Sequence, residues 1–112
     1  MTSVFIIKAD RVLLTRRYDD ERWQASCTGE GDPDEVLRRE LGIATHLIQC
    51  SQGVYRGVSS DPIATTPRVE GIEWVRIEDL PRFVSQNRCD DHLALSMDEL
   101  LVSLGSSVRI RS

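Results

Sequence analysis

At 112 residues the chain has room for one domain and a single core, and its 40% hydrophobic and 29% charged residues are ordinary for a globular protein. Fourteen Lys and Arg against eighteen Asp and Glu leave a net charge of −4, which excludes a broad electrostatic grip on nucleic acid. No apolar run approaches the roughly 20 residues that span a bilayer, so no membrane segment is expected.

The opening Met1-Thr-Ser-Val-Phe-Ile-Ile has neither a charged leader nor a small-residue cleavage site, and its apolar run stops at Lys8. The expected location is the cytoplasm. Residues 4–8 and 12–16 are β-rich and separated by Ala9-Asp10-Arg11, which predicts a hairpin or a bulged strand pair. The stretch CTGEGDPDEVLRRELGI, residues 27–43, reads as a loop feeding a short acidic helix. Asp32 can cap it, Pro33 suits the first turn, and Glu35 stands at the capping-box position. Val36, Leu37, Glu40 and Leu41 follow at helical spacing, and Gly42 offers the left-handed conformation that ends a helix.

Residues 45–57 and 68–77 favour strands, joined through the polar, Pro-containing Ser59-Ser60-Asp61-Pro62 and Thr65-Thr66-Pro67, so 58–67 is the expected mobile loop. IEDLPRF predicts a short helical turn interrupted by Pro81. Over residues 90–104, Leu93, Met97, Leu100, Leu101 and Leu104 recur at three- and four-residue spacing with Gly105 as stop, an amphipathic helix packed on the sheet. Residues 1–105 are thus expected to form one domain, and 106–112 a tail or one more edge strand. The order strands, helix, strands, helix describes an α+β sandwich rather than repeated βαβ units.

Cys27, Cys50 and Cys89 are odd in number and lack C-x-x-C spacing, so reduced thiols are the simplest reading. A zinc site drawn from His46-x3-Cys50 and Cys89-x2-His92 is the alternative. Arg16-Arg17, Arg22 and Arg38-Arg39 can present forked, permanently charged donors to phosphate, or stand as solvated surface arginines.

VLLTRRYDDERW, then the acidic helix ending RRELGI, then VEGIEWVRIEDLPRF resemble, in that order and over about residues 4–84, a Nudix-family domain. The resemblance implies an α/β/α sandwich with a mixed sheet, cleavage of nucleoside diphosphates linked to another group, and helix Glu side chains that hold Mg2+ or Mn2+ against the diphosphate. The chain departs from that pattern at the helix. With Arg39-Glu40-Leu41 in the Arg-Glu-aliphatic position, Gly42-Ile43 follow at once and the four residues carrying the family's Glu-Glu pair are missing. Anchoring on Gly42-Ile43 instead also leaves Glu40 as the single surviving helix acid. Upstream, Ser26-Cys27-Thr28 runs straight into Gly29-Glu30. Magnesium needs near-octahedral oxygen coordination, with one or two carboxylates besides phosphate and water.

Three readings follow from the resemblance. In the first, a reduced hydrolase, Glu40 and Glu30 hold a metal, Arg16, Arg17 or Arg39 neutralises phosphate, and Trp23 helps bind a small-molecule substrate. Asp32 and Glu35 have a local alternative as helix cap and as i,i+4 partner of Arg39. In the second, Trp23-x3-Cys27 followed by RRELG is similar to the Nudix-like isopentenyl diphosphate isomerase, which implies Cys27 and Glu40 as acid and base. That enzyme's His ligands have no counterpart here, which leaves a metal-independent isomerisation or cyclisation of an isoprenoid or other apolar metabolite; a small buried residue is the plainer role for Cys27. In the third, the scaffold binds a metabolite or protein partner without catalysis, and Trp23, Tyr18, Tyr55 and Trp74 either stack on a ligand or pack in the core. A homodimer is the expected assembly.

Overall fold

A computed structural model describes residues 1–17, 20–59 and 69–105. The chain opens on β1 (Thr2–Lys8) and turns through Ala9, a non-glycine residue at φ 56°, into β2 (Arg11–Arg17). The two strands pair only beside the turn, at Ile7 with Val12 and Lys8 with Arg11, and then splay. The short strands β3 (Asp20–Gln24) and β4 (Cys27–Gly29) fill the gap, β3 lining the end of β2 and β4 lining the start of β1. Ser26 between them plugs the fork, its hydroxyl accepting from the Ile6 N–H at 2.8 Å and donating to the Leu13 carbonyl at 2.5 Å.

After helix α1 (Pro33–Leu41) the chain adds β5 (Leu47–Ser51), β6 (Val54–Val58) and β7 (Val69–Arg76). β6 runs parallel to β1 and β7 antiparallel along the whole of β2, so the seven strands make one mixed sheet. A single 3₁₀ turn at Ile77–Asp79 leads into α2 (Leu80–Gln86), and α3 (Asp91–Ser103) closes the described fold.

Strand alternation sends side chains to two opposite layers. Val4 and Ile6 of β1 join Leu13, Cys27, Val36, Leu37 and Leu41 beneath α1, while Phe5 and Ile7 join Val12, Leu14, Leu93, Met97 and Leu100 beneath α2 and α3. β1 is covered on both faces, which is why it reads as an uninterrupted apolar run. The expected sandwich is therefore the observed one.

The Asp32 carboxylate caps α1 by accepting from the Asp34 N–H at 3.0 Å, one residue short of the capping-box donor. Gly42 ends the helix at φ 68° with its N–H on the Arg38 carbonyl at 2.9 Å. Asp90 caps α3 in the same way, through the His92 N–H at 2.8 Å. Two expectations need correction. Pro81 does not interrupt a helix but sits in the first turn of α2, where its missing N–H costs nothing. The stretch before α1 is not all loop, since Cys27–Gly29 pairs with β1. The region 45–57 does hold strands, two of them folded about Gly53, which stands at φ 78° with the Met1 carbonyl only 2.8 Å from where a Cβ would lie. Most of the expected loop 58–67 and the tail 106–112 fall outside the described residues. No helix among those described is long and apolar enough to cross a membrane.

Candidate functional site

Leu13, Thr15 and Arg17 share the α1-facing side of β2, so Arg17 emerges under the last turn of α1. Glu40 lies in that turn on the helix's inward stripe, between Leu37 and Leu41, and is 9% exposed. A carboxylate there is costly twice over: it is desolvated, and it sits at the negative end of the helix dipole. Arg17 supplies the remedy. Its Nη2 donates to Glu40 Oε1 at 2.8 Å and to the Thr28 carbonyl at 3.2 Å, with the Thr28 hydroxyl at 3.4 Å. The Thr28 hydroxyl in turn donates to Gln24 Oε1 at 3.4 Å. Strand β4 thus fixes the guanidinium that neutralises the helix acid.

Arg39 closes the other side. Its Nη2 lies 2.9 Å from the position a Cβ on Gly29 would take, so the absence of a side chain at Gly29 is what lets the guanidinium settle over β4. Cys27, two strand positions from Gly29 and on the same face, is 3% exposed among Val36, Leu37 and Leu41. Burial first, and the Glu40 charge second, push its thiol up to about 12, with Arg17 and Arg39 opposing the shift. The thiol stays protonated at neutral pH.

The other expected site residues go elsewhere. Glu30 stands out in solvent, its side chain 86% exposed and 3.8 Å from the Met1 amine. Arg16 faces the opposite layer from Arg17, its guanidinium 5.4 Å from the centre of the Trp23 ring, so the two arginines do not form one clamp. Arg16 Nε is buried without an aligned hydrogen bond; Glu70, at 3.5 Å, offers it charge but poor geometry. Trp23 meets Phe83 edge-on at 5.6 Å, and its backbone bonds Arg88 and Asp90, which makes it a joint between β3 and the start of α3. Tyr55 and Trp74 pack against the α1 layer, and Tyr18 lies outside the described residues. Cys50 and Cys89 both pack at the margin of the α2/α3 core.

Among the described residues no three His, Cys, Asp or Glu side chains converge as a metal-holding group, the two His/Cys pairs included. The donors near α1 therefore do not fit an octahedral divalent ion: the one inward carboxylate, Glu40, is already engaged by the Arg17 guanidinium. Two concavities lie among the described residues. A notch of about 20 Å³ lined by Ser3, Gln24, Thr28 and His92 has room for roughly one water. A groove of about 290 Å³ between β7 and α2 includes Arg76 and Arg82, which are already paired with Asp10 and Asp79.

Sequence reasoning named Glu40, Arg17 and Arg39 but missed Thr28 and Gly29, the residues that seat both guanidinium groups. Strand parity could have separated Arg17 from Arg16, since Leu13 and Arg17 are four apart on one strand. Nothing in the sequence marks Cys27–Gly29 as a strand lying beneath the helix.

No protein-family model matches the chain, and no curated protein matches it. Solved structures do. A Deinococcus radiodurans protein superposes with a TM-score of 0.67 at 17% identity, over 87% of this chain and 78% of its own. A Nudix-family hydrolase from Clostridium perfringens gives 0.65 at 16% identity, over 90% and 95%. An Ap4A hydrolase from C. elegans gives 0.63 at 12%, over 94% and 96%. The chain has a Nudix-like fold, as its motifs suggested.

Proposed function

We propose that this domain is a Nudix-like protein of the diphosphate-metabolite hydrolase lineage that binds a small phosphate-bearing molecule beside α1 and turns it over weakly or not at all. The observation that carries the reading is the Arg17–Glu40 pair at 2.8 Å, with Arg39 alongside over Gly29. Two guanidinium groups near the C-terminal turn of α1 present forked, permanently charged donors, which suit phosphate oxygens. The similarity in fold to hydrolases, one of them an Ap4A hydrolase, supports the same substrate class. Arg17 and Arg39 bind and orient the anion; Glu40 fixes Arg17 and is the carboxylate nearest to it. Neither Mg2+ nor Mn2+ fits the donors present, so no step is assigned to a metal.

Thermal unfolding with and without a set of nucleoside diphosphate compounds, run beside phosphate and diphosphate release, tests this. Stabilisation by several degrees with slow release is expected, and Arg39→Ala should abolish the stabilisation. Rapid metal-dependent hydrolysis, or indifference to every phosphate compound, would count against it. The acid–base isomerase reading gains no specific observation, because Cys27 is buried in apolar packing beneath α1. The proposal includes a cytoplasmic homodimer, to which β5 offers an edge strand with Ile48 43% exposed; sedimentation at micromolar concentration checks the assembly, and a strict monomer would contradict it.

A further inference from the structure

We infer that Arg17 is the resident cation of this site: its guanidinium occupies the carboxylate that would otherwise be open to a divalent ion, and the site takes phosphate without metal. The inference rests on the functional reading above for its phosphate and on the geometry alone for its cation.

Three observations carry it. Glu40 is buried in the last turn of α1, where an unpaired carboxylate is strongly disfavoured, so its ionised form needs a cation beside it. Arg17 does so at 2.8 Å, and the same Nη2 is tied to both oxygens of Thr28, so the guanidinium is anchored from the strand side as well as the helix side. A dissociable metal would have to break all of these contacts. Finally, the Arg17 side chain is 26% exposed, and its Nε and Nη1 make no bond to the described residues, so the fork that holds Glu40 with one nitrogen has others turned toward water. A phosphate can take those donors without displacing the carboxylate.

Mn2+ binding followed by electron paramagnetic resonance tests the cation on the wild-type chain, Arg17→Gln and Arg17→Gln/Glu40→Gln. The wild type should bind no Mn2+ that depends on Glu40. Arg17→Gln should gain Mn2+ affinity by at least about tenfold, and the double variant should lose that gain. Should Arg17→Gln be poorly folded, Mn2+ should raise its melting temperature while leaving the double variant unmoved. Glu40-dependent Mn2+ binding by the wild type, or an Arg17→Gln protein blind to Mn2+ in both measurements, would overturn the assignment. In parallel, inorganic diphosphate should stabilise the wild type equally in EDTA and in Mg2+; a shift that vanishes in EDTA would overturn it too. Failure of diphosphate to bind under either condition would sink the functional reading instead, and the Mn2+ result would still decide the role of Arg17.

Discussion

Glu40 is a buried acid whose acceptability depends on one neighbour. Replacing Arg17 with Met should leave the carboxylate unpaired and cost about 2 kcal/mol, short of the 3–5 kcal/mol of a fully buried pair because Arg17 is partly solvated. Urea unfolding measures it, and Arg17→Met/Glu40→Leu should recover much of the loss. Cys27 gives a second prediction. Its folded value lies near 12 against an ordinary 9.0, so the folded state holds the proton more tightly. The resulting stability is fully present below pH 9 and is lost as pH rises toward 12, by about 1.3 kcal/mol per pH unit at the steepest. The difference between wild type and Cys27→Ala in urea melts from pH 8 to 11 isolates this slope; a constant difference would refute it. Glu40 and Arg39 were legible as chemistry-bearing residues from RRELG alone. The pairing of Glu40 with Arg17 was not, because the two are 23 positions apart and meet only through β4.

Among the elements, α1 was the most legible. Asp32, Pro33 and Gly42 are local signals, and a cap or a left-handed stop acts within one turn whatever surrounds it. Asp32→Ala should cost about 1 kcal/mol and Gly42→Ala about as much, since Gly42 stands at φ 68°. Melting temperatures lowered by a few degrees in both would agree; unchanged values would mean that packing, not caps, sets the helix ends. β3 and β4 were illegible for the converse reason. A charged five-residue segment and a three-residue one have little pattern of their own, and they become strands because splayed β1 and β2 leave unpaired backbone groups for them to meet.

At the scale of the molecule, β1 couples the two apolar layers, with Val4 and Ile6 on one side and Phe5 and Ile7 on the other. The layers should therefore melt together. Leu37→Ala beneath α1 and Leu100→Ala in α3 are each expected to cost 2–5 kcal/mol and to move one shared transition; two separate transitions in either variant would show the layers to be independent. What the sequence by itself determined was the set of local commitments: a strand pair, a short capped helix, a C-terminal amphipathic helix and a helix left with one inward acid. These follow from periodicity and capping, which act over a few residues. Only the tertiary structure decided which arginine that acid would meet, that Arg16 and Arg17 would part to opposite layers, and that Thr28 and Gly29 would seat two guanidinium groups. Those outcomes depend on the register of β4 against β1 and of β2 against β7, and register is fixed by burial across the whole sheet rather than by neighbours in the chain.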